Sequence, residues 1–292
     1  MCPAAWGLLP KGVERASAAL QAAGLADRLS ATRIHRVDCI EASDNRDTET
    51  GLLRPLELVE MATRLADSVD AVLASGSVPV LTGGDCSNVL GSMLALRRHG
   101  RYGLLYLDGH ADFWHPTEDD LGEAASVDLA LATGRGPDVL TELEGLKPLV
   151  RDEDVAILGY RSAINDAYLG QHVRDTQISV HGLAEIRTDG LERCLAQALS
   201  TVTAAPLDGF WLHFDVDVLD DSIMPAVDYR EPGGLSWSEA RSVIRAAAAS
   251  GRMVGMQVTI YNPMLDNPGR PLAGDIVELL ATALPAALAD AT

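Results

Sequence analysis

The feature that most restricts how this chain can fold is a series of short, continuously apolar runs separated by longer amphipathic stretches. Leu104-Leu105-Tyr106-Leu107 and the segment from Phe210 to Phe214 have strand length. Strands without regular polar alternation are buried on both faces, which is the mark of a parallel sheet covered by helices. The spans that read as strands are 33–38, 78–82, 102–108, 155–160, 177–180, 210–215 and 253–260. Helices are expected over 56–74 (closed by Gly76), from about Asn88, in the stretch after Tyr160, over 191–199 and over 276–288. Ser236 and Glu239 form a capping-box pair that opens one more helix, ending near Gly251. No repeat, low-complexity segment or long linker interrupts the pattern, so a single α/β domain over 1–292 is expected.

Composition narrows the possible partners. Acids outnumber bases by 42 to 23, a formal charge of −19. Nucleic acid and anionic membranes both select basic surfaces, so neither is an expected partner. The charge is read first as solubility. The four cysteines, Cys2, Cys39, Cys86 and Cys194, are widely spaced and contain no C-x-x-C, which indicates neither a disulfide framework nor a thiolate zinc knuckle. A reduced, cytoplasmic chain is the expectation. The opening segment does not read as a secretory signal, and the apolar stretch from Ile276 is broken by Glu278 and Pro285 before it reaches membrane-spanning length.

Polar residues gather where strands end, which is where sites form in such sheets. Three segments stand out: Gly84-Asp85-Cys86-Ser87-Asn88, Asp108-Gly109-His110-Ala111-Asp112, and Asp215-Val216-Asp217 with Asp220 and Asp221 beyond. In an extended segment alternate side chains point the same way, so Asp108, His110 and Asp112 can converge, as can Asp215 and Asp217. A lone Asp at a strand end usually caps a helix or ends a turn. Four carboxylates brought this close repel one another unless a cation neutralises them. Carboxylates with one imidazole suit Mn²⁺ or a similar divalent ion.

These segments, with Gly83-Gly84-Asp85-Cys86-Ser87, Phe214-Asp215-Val216-Asp217-Val218-Leu219-Asp220, Pro225-Ala226, Gly233-Gly234-Leu235 and Asn262-Pro263, resemble the ureohydrolase superfamily of arginase and agmatinase. The resemblance spans roughly residues 50 to 285. It implies a three-layer αβα sandwich with a mostly parallel sheet and a pair of bridged Mn²⁺ ions. It also implies that one ion is held by the position of Cys86 with Asp108, Asp112 and Asp215, and the other by His110, Asp108, Asp215 and Asp217. A hydroxide bridging the metals then attacks a guanidinium carbon. Homo-oligomers are expected by the same resemblance.

The chain departs from the family pattern in three places. The family normally has His where this chain has Cys86. A thiolate is softer than Mn²⁺ prefers, so the site either holds one metal, selects a softer ion such as Zn²⁺ or Fe²⁺, or leaves Cys86 unliganded as a small apolar residue. A similar hydrolase of hydroxyarginine also has Cys at this position, so the change does not imply a dead enzyme. The proton-shuttling His of arginases falls at Ala125; Glu123 or His115 can replace it by reach, although Glu123 also fits a helix cap near Ser126. The acid that binds the guanidinium falls at Ile260, which favours a less basic amidine, hydroxyguanidine or ureido group, or an acid supplied elsewhere, such as Glu231.

The family contacts to an amino-acid head are missing around Gly159 to Ile164, where Arg161 can bind a carboxylate or join a structural ion pair. Trp114, Tyr160, Tyr229 and Tyr261 are candidates for the pocket wall, with ordinary packing the alternative.

The expected function is metal-dependent hydrolysis of a linear C–N bond in a guanidino-, hydroxyguanidino- or amidine-type small molecule. Asp108 and His110 stand at its centre, with Glu123 or His115 as the proton donor. A non-catalytic binding or assembly protein on the same fold is the first alternative. A hydrolase of a guanidino group within a larger molecule is the second.

Overall fold

The computed structural model describes residues 1, 6–9, 11–40, 45–115, 121–161 and 173–284. Six strands make one sheet: β1 (Val80–Thr82), β2 (Gly103–Leu107), β3 (Val155–Leu158), β4 (Ser179–His181), β5 (Phe210–Asp215) and β6 (Met253–Thr259). Their order is β1-β6-β5-β2-β3-β4. Every neighbouring pair is parallel.

Period-two alternation of apolar side chains divides the interior into two layers. On one face Leu105, Leu107, Phe210, Leu212 and Phe214 pack with residues of helices Ala16–Ala22, Leu191–Val202, Trp237–Ala249 and Ala273–Ala283. On the other, Leu104, Tyr106, Val155, Ile157 and Trp211 pack with residues of helices Pro55–Ala74 and Asn88–His99. The result is the expected αβα sandwich. Ser236 caps the helix Trp237–Ala249, with the reciprocal Glu239 bond in place.

The expected strand at 33–38 does not form. Of these residues only Val37 is buried, so a strand there would have no apolar face to cover. The last helix begins earlier than expected, at Ala273, and residues 285–292 of the expected span lie outside the described residues. The helical stretch expected after Tyr160 falls largely on 162–172, also outside them.

The connections after β2 and β5 leave in opposite directions, β2 toward β3 and β5 toward β6. The gap between these two adjacent strands is therefore a topological switch point, where a crevice opens beyond the carboxyl ends.

Close approach of two helices supports one wall of this frame. A Cβ on Gly91 would lie 2.8 Å from the Ala62 carbonyl oxygen and 2.8 Å from Leu65 Cβ. Gly91→Val is expected to overpack the contact and cost about 1–3 kcal/mol. Urea unfolding checks this; an unchanged midpoint would show that the two helices can separate without loss.

Candidate metal centre

Strand register sets up the centre before any loop is considered. Tyr106 of β2 pairs with His213 of β5, and His213 pairs with Gln257 of β6, so three polar side chains stand in one row across the sheet. The Tyr106 and His213 rings stack at 4.1 Å and 5°. Trp211 Nε1 can only donate, and it lies 3.1 Å from Gln257 Oε1, which also accepts from Ser92 Oγ at 3.0 Å. The amide orientation is thereby fixed, and Gln257 Nε2 donates to His213 Nδ1 at 2.8 Å. The ring proton is left on Nε2, which donates to Asp108 Oδ2 at 3.3 Å. His213 is thus held as a neutral donor; burial lowers its pKa to about 4.

The turns beyond the strands supply the remaining groups. After β1, Gly83 takes φ +93°, and a Cβ there would lie 2.0 Å from Ser17 Oγ, so only glycine fits. Asp85 holds this turn by accepting from the Gly7 and Ser87 amides, each at 3.0 Å. Cys86 is thereby placed with its thiol 2.8 Å from Asp215 Oδ2 and 3.7 Å from Thr259 Oγ1. After β2, the His110 amide donates to Asp108 Oδ1 at 2.6 Å, and His110 Nδ1 lies 2.9 Å from Asp217 Oδ2. After β5, the Asp217 amide donates to Asp215 Oδ1 at 2.7 Å. Asp112 adopts φ +43° and accepts from Tyr106 Oη at 2.7 Å.

Three overlapping groups of ligand-type atoms result, each with its atoms within 4.8 Å of one another. They are Asp108, His110 and Asp217; Cys86, Asp108, His213 and Asp215; and Cys86, Asp112 and Asp128. All six residues expected from the sequence to approach a metal are brought together here. His213 and Asp128 are additions. The polar interruption of the apolar run by His213 was a visible sign; Asp128 carried none.

The electrostatics are those of crowded acids. Burial, reinforced by neighbouring carboxylates, holds the carboxyls of Asp108, Asp112 and Asp215 well above the usual range. Burial and then Asp215 and Asp112 push the Cys86 thiol up as well. Asp217 goes the other way: burial raises it, but the His110 imidazolium, Arg161 and the Gly109 amide outweigh that effect. Burial pulls His110 down, yet Asp217 and Glu231 more than reverse this and keep it protonated well above its ordinary range.

A cavity of about 410 Å³ opens over the acids. Cys86, His110, Asp112, Asp215 and Asp217 lie at its base, and Trp114, Glu123, Tyr229, Glu231 and Ile260 form much of its wall. Asp228 lines it too and was not singled out from the sequence. Glu123 stands at the N-cap position of the short turn Ala124–Ser126 but makes no side-chain capping bond; Oε1 accepts from the Leu9 amide at 3.0 Å and Oε2 from Tyr229 Oη at 3.3 Å. Glu231 Oε1 lies 3.5 Å from His110 Nε2.

Four candidates are placed away from this wall. His115 does not line the cavity. Tyr160 is buried in the core. Tyr261 is buried, with its hydroxyl donating to Asp266 Oδ2 at 2.6 Å. Arg161 is buried and directs Nη2 at the carbonyls of Asp217, Val218 and Leu219, between 2.8 and 3.2 Å, with Nη1 3.7 Å from Glu231. A buried guanidinium needs such acceptors, so Arg161 braces the Asp217 turn instead of facing a substrate.

Comparison with known proteins agrees with this geometry. The sequence model of the arginase family matches residues 7–285. Arginase from Bacillus caldovelox is 28% identical over 270 residues, covering 89% of this chain and 88% of that protein. Arginase from Staphylococcus aureus strain MRSA252 is 25% identical over 273 residues, covering 91% and 89%. The solved arginase of Bacillus subtilis superposes with a TM-score of 0.84 at 26% identity, covering 97% of this chain and 96% of that one. With a whole-length family match, the same parallel sheet and clustered ligand-type side chains at its switch point, the chain belongs to the arginase family of ureohydrolases, enzymes that cleave C–N bonds other than peptide bonds.

Proposed function

We propose that this chain hydrolyses a linear C–N bond in a guanidino-, hydroxyguanidino- or amidine-type small molecule, using one or two Mn²⁺ or similar divalent ions. The observation that carries the reading is the position of Asp108, which belongs to two of the ligand groups at once and can bridge two cations. The donor set fits them: carboxylates and imidazole with one thiol, buried and mutually repelling. When bound, the cations supply acidified water and polarise the scissile group.

The chain's own residues do the rest. Asp108, Asp112, Asp215 and Asp217 with His110 and Cys86 hold the charge in place. His213 fixes the orientation of Asp108. Glu231 stands where an acid can meet a cationic amidine or guanidine, which answers the loss of an acid at Ile260. Glu123 faces the cavity from the wall, held by Leu9 and Tyr229, and is better placed than His115 to give a proton to the departing nitrogen. A cavity of about 410 Å³ suits a small molecule, and among the described residues no lysine or arginine lines it, which favours a cationic or donor-rich substrate over an anionic one.

The direct test is a screen of guanidines, hydroxyguanidines, amidines and ureido compounds with several divalent metals, scored by released urea, hydroxyurea or ammonia. Asp108→Ala is expected to lose both turnover and metal uptake; turnover that survives this change would remove the central claim. Glu123→Gln is expected to keep metal content and lower kcat about 10²- to 10⁴-fold. An unchanged kcat would take Glu123 out of the proton path.

The raised carboxyl pKa values also set a pH dependence. In the metal-free fold Asp108, Asp112 and Asp215 hold protons that the unfolded chain would release. Their contribution to stability is complete below the unfolded carboxyl pKa of about 4 and is lost as pH rises through the raised folded values. Cations bind the deprotonated groups, so metal stabilisation grows over the same range. The gain in Tm on adding Mn²⁺ should be larger at pH 8 than at pH 5.5; the stabilisation behind it approaches about 2.7 kcal/mol per ion at 100-fold excess over Kd. Calorimetry in chelator and in metal measures it; a gain that is flat with pH or larger in acid contradicts the proposed ligands.

A further inference from the structure

We propose that Asp128 is a metal ligand, completing with Cys86 and Asp112 a second subsite in which a carboxylate stands in for the missing histidine. The inference rests on the metal-dependent reading above.

Asp128 opens the short helix Asp128–Ala132 and is fully buried. Its Oδ1 accepts from Tyr106 Oη at 2.8 Å, while Oδ2 is buried with no hydrogen-bond partner. A carboxylate oxygen left bare in a dry interior is costly, and buried polar atoms are nearly always satisfied. Burial first, then the neighbouring Asp112, Asp108 and Asp85, push its carboxyl well above the usual range.

Its position is fixed relative to Asp112. The Ala130 amide donates to the Asp112 carbonyl at 3.3 Å, tying the helix to the end of the β2 loop. Tyr106 Oη lies between the two carboxyls, 2.7 Å from Asp112 and 2.8 Å from Asp128. A phenol has one proton and cannot fully satisfy two carboxylates. The pair is short of positive charge, and either an extra proton or a cation must supply it. The thiol of Cys86 and an oxygen from each of the two acids lie within 4.8 Å of one another, a spacing one ion can bridge. On metal binding the thiol gives its proton to solvent and the thiolate becomes the third donor.

Two positions are thereby linked. An imidazole at the Cys86 position would have given a neutral ligand; a thiol needs its partners to hold the cation firmly enough to displace its proton. An additional carboxylate on the same side provides that charge.

The test counts metal ions per chain in the EDTA-stripped, reconstituted protein by mass spectrometry, with Co²⁺ as a second probe whose thiolate charge-transfer band reports Cys86 ligation. Wild type should take up two ions and show the band. Asp128→Asn, which keeps the shape and the Tyr106 contact, should retain one ion, lose the band and weaken the second subsite more than about 100-fold, beyond what an outer-sphere partner gives. Cys86→His in the Asp128→Asn background should restore the second ion. Metal-free Asp128→Asn should melt at the same or a higher temperature than metal-free wild type, because Asn keeps the acceptor for Tyr106 and removes an acid whose charged form burial disfavours.

Two ions of unchanged affinity in Asp128→Asn would overturn the assignment. So would a metal-free variant that melts lower or fails to fold, since Asp128 would then serve as an anchor for Tyr106. One ion in both wild type and variant would remove the second subsite and leave the proposed function standing. No ion in wild type would end both.

Discussion

Like charges converging in a buried place govern this structure. Asp108, Asp128, Asp215 and Asp217 are buried beyond the ends of two adjacent strands, and Asp112 joins them at the floor of the cavity. No arrangement of carboxylates alone makes that favourable in a low-dielectric interior. The fold answers with proton retention on several of them, one protonated imidazole at His110 and the buried guanidinium of Arg161. Divalent cations are the remaining and larger source of compensation. The site is therefore a strained electrostatic arrangement that the rest of the molecule must hold in place.

What holds it is the sheet. Parallel register puts Tyr106, His213 and Gln257 side by side, and Trp211, as a pure donor, sets the hydrogen-bond direction along the row. The tautomer of His213 follows from an indole at the far end of the chain of bonds. Asp108 is thus oriented by the backbone amide of His110 and by the His213 side chain of the neighbouring strand. If Asp108 is shared between cations as proposed, a carboxylate that could rotate freely would lose that shared position, so the centre would require its rigidity.

The metal-bearing part of this centre was legible in the sequence because apolar strand runs end abruptly in alternating acids. An abrupt change of polarity at a strand end has few structural explanations. The same logic failed where the local pattern is ambiguous. Residues 33–38 resemble a strand in composition, but only Val37 finds cover. Tyr261 and Arg161 sit in suggestive segments, yet each is committed to nearby acceptors that the chain brings from elsewhere. Asp128 was invisible because its role depends on Tyr106 and Asp112, which reach it only through tertiary packing.

The substrate-bearing wall shows how the two kinds of residue differ. Ile260 adopts φ +69°, a conformation costly for a β-branched residue, and its amide donates to the Gly84 carbonyl at 3.1 Å. The backbone there is set by the joining of β6 to the turn that presents Cys86, so its shape is dictated by the metal side of the pocket. The side chain that this backbone carries into the cavity wall is apolar. Acidity on this wall comes from Asp228 and Glu231, which share a separate segment of the chain. On the function proposed above, a cationic group would find its charge partner at Glu231 or Asp228 and not at Ile260.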